Sequence, residues 1–135
     1  MKYKRKERGQ SLIEFVLILP VLLIILAGVL DLGRLYFAYV AVTDAAAEGA
    51  AYAAIYPDDS EGVKDRAEAA SGGLVEIEEN LVLIDPPPTV ASGEPITVTV
   101  NYTFTLATPF INAMVPDGVL MLRAVAIEVI LAGEL

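Results

Sequence analysis

Glu14 lies in the stretch Arg8-Gly9-Gln10-Ser11-Leu12-Ile13-Glu14-Phe15, two residues inside a long apolar run. Deep in hydrocarbon a carboxylate costs about 2.5–3.5 kcal/mol, so a glutamate in such a run marks a functional position by default. About two helical turns separate Glu14 from the basic residues before it, close enough to reach the headgroups by snorkelling. Position alone therefore leaves two readings open, a tolerated charge and a working one.

Few other residues could carry chemistry. Cysteine and histidine are absent, which removes disulfides, thiolate nucleophiles, Cys/His zinc sites and any Ser-His-Asp triad. Acidic groups cluster as Asp58, Asp59, Glu61 and Asp65, and again as Glu76, Glu78 and Glu79. Neither run has the oxygen-ligand spacing of a calcium loop, so both read as solvated acidic surface. Paired carboxylates also serve glycosidases, but nothing after Tyr56 suggests a cleft to hold a sugar. No catalytic residue, metal, cofactor or small-molecule substrate is expected, and a tethered hydrolase is the weakest reading.

The elements that must position Glu14 are legible in composition. Hydrophobic residues make up 56% of the 135-residue chain, above the usual 45–50% or so of soluble domains. The excess is concentrated between Leu12 and Leu30, where LIEFVLILPVLLIILAGVL carries one charge in 19 residues. That is close to the ~20 residues that cross a bilayer as a helix. Before it, Lys2, Lys4, Arg5, Lys6 and Arg8 oppose only Glu7, a net charge of +4 that favours a cytoplasmic N-terminus. From Leu35 onward Lys64, Arg66 and Arg123 face fifteen acidic residues, a net charge of −12 that repels phosphates and argues against nucleic acid as a partner.

A secretory signal peptide fits less well. The best small-residue cleavage position follows Ala27, but Ile25 spoils the pattern, and the run exceeds the 7–15 or so residues of a typical signal core. The helical pattern instead continues. Asp31 and Arg34 form an i,i+3 pair able to neutralise itself where the helix leaves lipid, and Tyr36, Phe37 and Tyr39 stand at the depth of an interfacial aromatic belt. From Ala41 to Ala54 eight of fourteen residues are alanine, so one helix is predicted from about Ser11 to about Ile55, ending at Tyr56-Pro57. Pro20 removes one N–H inside it, which predicts a kink or a locally opened turn. Ala41, Ala45, Gly49 and Ala53 fall four apart with Ala46, Ala50 and Ala54 beside them. Such a stripped face beds against either the chain's own outer domain or another subunit's helix. Asp44 and Glu48 read as a solvated stripe.

Basic residues, then Gly9, then Gln10-Ser11-Leu12-Ile13, then Glu14-Phe15 resemble the type IV prepilin signature. The longer string, RGQSLIEF, then Pro20, then LDLGRLYFA and DAAAEGAAYAA, resembles the TadE-like pseudopilins of tight-adherence (Tad) pilus systems over residues 8 to 56. The resemblance implies that a prepilin peptidase cuts between Gly9 and Gln10 and that Gln10 becomes the new, usually methylated, N-terminus. Glu14 and Phe15 then belong to the assembly motif, the carboxylate pairing with a positive amine on a neighbouring subunit. An unpaired charge in lipid favours assembly in that case.

Beyond Pro57, Asp58, Asp59 and Ser60 offer N-caps for a short helix through about Ala70, with Val63, Ala67 and Ala70 on one side and Ser71-Gly72-Gly73 as its stop. Three strands follow. Leu74 to Ile84 is irregular, with Val75, Ile77, Leu81 and Leu83 in phase, and Asp85 with Pro86-Pro87-Pro88 closes it. Ile96 to Ala107 alternates without a slip, Ile96, Val98, Val100, Tyr102, Phe104 and Leu106 against a polar row of threonines and Asn101. Val119 to Leu131 carries Val125, Ile127 and Val129 together. The sheet's apolar face is expected to cover the alanine face of the helix. Between the last two strands Phe110, Ile111, Met114 and Val115 either cap the core or form an exposed docking patch, and Pro116-Asp117-Gly118 makes the turn.

The fold expected is α+β: a long N-terminal helix that spans the membrane and continues Ala-rich, a short second helix, and a three-stranded antiparallel sheet packed on the first. The organisation expected is a basic cytoplasmic leader at 1–9, a transmembrane and extended helix at 10–56, and an extracytoplasmic α+β domain at 57–135. This describes a single-pass protein of the cytoplasmic membrane whose partners are the membrane, a prepilin peptidase, and other pilins and assembly proteins. The alternative is an uncleaved signal-anchored envelope protein that binds a partner through its sheet. Gly9 and Gln10 are the expected processing residues, Glu14 and Phe15 the assembly residues, and Asp31, Arg34, Tyr36 and Phe37 the membrane-interface residues.

Overall fold

A computed structural model describes residues 7–73, 75–86, 90–108, 113 and 115–131. Helix α1 runs Glu7–Ile55 and α2 runs Ser60–Ala70. Strands β1 (Val82–Asp85), β2 (Pro95–Thr105) and β3 (Val119–Val129) form one antiparallel sheet in the order β1-β2-β3. The architecture is α+β, and sheet and α2 both pack on the C-terminal half of α1.

Alanine explains why α1 survives so far beyond its apolar half, because it forms helix at no side-chain entropy cost. The helix continues through Pro20 and stops at Ile55, ahead of Tyr56-Pro57, where the residue before proline disfavours helical backbone. Asp59 caps α2, one carboxylate oxygen accepting the Gly62 N–H at 3.0 Å. Its other oxygen accepts the Tyr52 hydroxyl at 2.8 Å, so the cap also ties α2 back to α1. A Cβ at Gly62 would collide with that pair, 2.7 Å from the Tyr52 hydroxyl oxygen and closer still to Asp59.

The small-residue face of α1 is filled by the chain's own outer elements. Ala45, Ala50 and Ala53 are fully buried, as are Val63 and Ala67 of α2 and Ile96, Val98 and Val100 of β2. Three elements meet at Gly49, where a Cβ would stand 3.3 Å from Val98 Cγ1 and 3.4 Å from Ala67 Cβ. The intramolecular alternative for the alanines is therefore the one the fold adopts. Asp44 and Glu48 stay exposed, Glu48 lying 3.7 Å from Arg66 of α2.

Sheet and helix match in length. At roughly 1.5 Å per residue α1 climbs about 35 Å from Asp31 to Ala54. From Val119 to Leu131 the extended chain covers about 40 Å. Both ends are tied: the Leu131 N–H donates to the Ala54 carbonyl at 2.8 Å, and the Thr108 N–H donates to Asp31 at 2.8 Å.

Two strand expectations are corrected. Leu74 to Ile84 is not one strand in a single phase, and Leu74 lies outside the described residues. Val75 and Ile77 are buried, but a 3-10 turn at Glu79–Leu81 shifts the alternation by one. Val82 and Ile84 then face inward and Leu83 outward. In β3, Val125, Ile127 and Val129 do share one face, but that face points away from α1 instead of covering it, with Met121 the most exposed of the row. The reason is register, since directly opposed residues share a face. Val98 opposes Ala126, Val100 opposes Ala124, and Phe104 opposes Leu120, so the alternation of β2 forces the even-numbered residues of β3 onto the helix. Of the insert between β2 and β3, Phe110, Ile111 and Met114 lie outside the described residues, and Val115 packs against the core. The turn into β3 forms as expected, with Asp117 and Gly118 both at positive φ, 57° and 62°.

Candidate processing and assembly site

Gly9 lies in helical backbone near the start of the described part of α1, and, the adjoining helix backbone aside, no atom of the described residues lies within 4 Å of where its Cβ would be. The Gly9–Gln10 bond is thus held in helical backbone, with open space where a Gly9 side chain would stand. Glycine weakens a helix interior by about 0.5–1 kcal/mol relative to alanine, so the backbone is easier to unwind here than at its neighbours.

The side-chain amide of the adjoining Gln10 donates to Oε1 of Glu14, one turn further on, at 3.1 Å. The two residues are four apart on one helix face, the spacing at which side chains meet. Phe15 is exposed beside them, and the large apolar side chains up to Leu30 stand similarly free, Leu17 at 70% and Leu26 at 53% exposure. This is the one helix among the described residues long and apolar enough to cross a membrane.

At the far end of that segment Asp31 and Arg34 do meet, Arg34 Nη1 lying 3.0 Å from Asp31 Oδ1. The Asp31 side chain, however, is only 4% exposed. Its two oxygens also accept the backbone N–H groups of Ala107, at 3.3 Å, and Thr108, at 2.8 Å. Asp31 therefore clamps the chain leaving β2 to α1, in addition to facing Arg34. The Arg34 guanidinium lies over the Phe104 ring, 5.3 Å from its centre, a cation–π contact that leaves the side chain half in solvent. Tyr36 and Phe37 stack edge-on at 6.5 Å and point outward. The eight expected site residues thus fall into two groups at opposite ends of the apolar segment, Gly9, Gln10, Glu14 and Phe15 at one end and Asp31, Arg34, Tyr36 and Phe37 at the other.

Residues 9–51 match the family model described as TadE-like protein. The chain carries a TadE-like domain there. No curated protein and no solved structure matches the chain. The TadE-like match takes in both halves of α1, from the turn at Gly9 to the buried alanines, and ends before α2 and the sheet.

Several contacts of the TadE-like helix were not visible in sequence. The backbone of Ala107 and Thr108 as the partner of Asp31, and Phe104 as the partner of Arg34, are separated from it by some seventy residues. Tyr52 with Asp59 was also missed. The Asp59 carboxyl is held below the usual carboxylate range by the Gly62 N–H first and the Tyr52 hydroxyl second, and the same hydrogen bond, with partial burial, pushes Tyr52 up. Among the described residues no cluster of acidic side chains has the arrangement of a metal site.

Proposed function

We infer that this chain is a membrane-anchored pseudopilin or minor-pilin-like protein that takes part in Tad-type pilus assembly or adhesion through protein–protein packing. One observation carries the reading. The inward face of the outer half of α1 is filled by the chain's own sheet and α2, whereas the apolar half around Glu14 stands free nearly all round and is the large apolar helix surface left for other subunits. The TadE-like match over the same helix supports it.

The mechanism follows from charge. The basic leader, residues 1–9, holds the N-terminus at the cytoplasmic face of the inner membrane and keeps Glu14 near cations. A prepilin peptidase unwinds the helix around Gly9 and cuts between Gly9 and Gln10. The leader takes its cations with it and leaves an amine on Gln10. In the bilayer, a Glu14 carboxylate then has its best partner in the amine of a neighbouring subunit, because an unpaired charge in hydrocarbon is costly and a paired one is less so. Phe15 and the leucines around it supply the packing. The α+β domain, 57–135, stands outside, with Tyr36 and Phe37 in the interfacial belt.

Mass spectrometry of the protein from its own cells tests this directly. An N-terminus at Gln10 is expected, and Met1 throughout would sink the processing step. Gly9→Ala is expected to leave the precursor uncut. Glu14→Ala is expected to be cut normally and to build few pili; normal piliation by that variant would remove the charge-pairing step.

A second reading, an uncleaved anchored protein that binds through its sheet, is favoured by the row Met121, Val125, Ile127 and Val129 on the outer face of β3. Intact Met1 in cells, together with loss of function in Val125→Asp or Ile127→Asp but not in Glu14→Ala, would select it.

A further inference from the structure

We propose that Glu14 has a task before any neighbour arrives: it protects the amine of its own chain from being lost by cyclisation of Gln10. This rests on the cut after Gly9 proposed above. Inside the precursor the Gln10 nitrogen is a peptide nitrogen and unreactive. Once freed, it is an amine four bonds from Cδ of its own side-chain carboxamide, the separation that closes a five-membered ring. Ring closure forms a bond from the α-nitrogen to Cδ and breaks the bond from Cδ to Nε2. Nε2 departs as ammonia, taking up a proton from the amine, and the product is a neutral pyrrolidone at the head of the chain. No oxidant, reductant or other co-reactant is needed.

The consequence would be severe at this position. No lysine or arginine lies between Gln10 and Arg34. After the leader leaves, the new amine is the sole cation at that end of the helix, and cyclisation deletes it. Every subunit so altered carries a Glu14 carboxylate and offers its neighbour nothing to pair with.

The geometry opposes that reaction. The Gln10 carboxamide donates through Nε2 to Glu14 Oε1 at 3.1 Å, which directs the side chain along the helix toward residue 14. For ring closure the same carboxamide must fold back onto its own nitrogen. It cannot do both. A hydrogen bond to a charged acceptor is stronger than one between neutral groups, and helical i,i+4 spacing preorganises it, so the extended rotamer is the favoured one. A carboxylate accepts several donors, so Glu14 holds the carboxamide and still has capacity for a neighbour's amine. Glu14 is in this sense a positioning residue for Gln10.

The test bypasses the peptidase. In the full chain, residues 1–9 are replaced by a tag with a site-specific protease sequence that releases Gln10 as the first residue, and the protein is cut in detergent micelles. Intact mass then follows the loss of one ammonia with time at neutral pH. Glu14→Ala is expected to cyclise roughly two- to tenfold faster than the unaltered chain, the range set by a surface i,i+4 pair and a charge-assisted bond. Glu14→Gln, which keeps an acceptor without the charge, is expected to fall between the two. Gln10→Ala, which has no carboxamide, must show no loss, confirming residue 10 as the source. Equal rates in all Glu14 variants overturn the proposal. So does slower cyclisation in Glu14→Ala, which would make the carboxylate a promoter of ring closure. An intact Met1 in cells would refute the processing step instead, a result separate from any of these rates.

Discussion

The two halves of α1 share one uninterrupted backbone and differ in what must solvate them. Between Leu12 and Leu30 the side chains are large and apolar, and nearly all stand free of the rest of the chain. Between Ala38 and Ala54 the inward face is built of small side chains, chiefly alanine, and is covered by β2, β3 and α2. Size follows the neighbour. Bulky leucines and isoleucines suit fluid lipid tails, which fill space around any shape. Alanine and glycine suit a rigid sheet, because only they let strand and helix backbones come close enough to exclude water between them. Asp31 stands at the changeover, where the apolar segment ends and the exit from β2 is tied down.

The difference predicts opposite tolerance to bulk. In full-length protein in micelles, Gly49→Leu is expected to have the largest effect of any single change discussed, because its Cβ already meets Val98 and Ala67 at contact distance and the rest of the side chain has nowhere to go. Ala45→Leu, at a fully buried position, is expected to cost about 1–3 kcal/mol by overpacking. Thermal unfolding followed by strand circular dichroism reads both. Leu22→Ala, in the exposed half, is expected to leave that midpoint within about 0.5 kcal/mol of the unaltered chain. A comparable loss at Leu22 would mean the apolar half also supports the outer domain, and the contrast between the halves would fail.

Much of this division was legible in the sequence, for a physical reason. Helix, apolar run and alanine face are repeating patterns, and repetition survives without knowledge of the partner. β2 was equally readable because its alternation from Ile96 to Leu106 never slips. β3 was not, since both its faces are apolar. Val125, Ile127 and Val129 look like core, and only the pairing of Ala124 and Ala126 with Val100 and Val98 turns them outward. β1 failed through a local event, the 3-10 turn at Glu79–Leu81 that shifts the phase by one residue. Of the candidate site, the Gln10–Glu14 contact follows from i,i+4 spacing alone. The clamp on Asp31 does not, because its donors are backbone groups of distant residues that carry no side-chain signature.

That clamp offers a smaller effect placed at the boundary itself. Asp31→Asn keeps the side-chain volume but replaces two acceptor oxygens with one acceptor and one donor, which then faces backbone N–H groups. Amide hydrogen exchange is expected to accelerate at Thr108 and Ala107, with a fall in the unfolding midpoint less than that of Gly49→Leu. Arg34→Gln is expected to leave Thr108 protected, since Arg34 is half exposed and such pairs contribute little. If Arg34→Gln releases Thr108 as fully as Asp31→Asn, the ion pair, not the backbone bonds, holds the domain at the membrane end of α1.

The smallest expected effect is a pH dependence confined to the outer half. Asp59 sits below the usual carboxylate range because the Gly62 N–H and the Tyr52 hydroxyl favour its charged form. Its contribution to stability is therefore complete above the unfolded value of about 3.9 and is lost as pH falls through the lower folded value. Tyr52 is shifted the other way, upward, mainly by the same bond. Its contribution is complete below about 10 and is lost as pH rises toward the folded value. One hydrogen bond of 2.8 Å thus weakens the α1–α2 junction at both extremes. Tyr52→Phe is expected to abolish the alkaline loss and reduce the acid one, whereas Asp59→Asn abolishes the acid loss. Helical circular dichroism from the apolar half should be unchanged throughout, because neither residue touches it. A melt of the whole helix at low pH would show that the two halves, so different in surroundings, unfold as one unit.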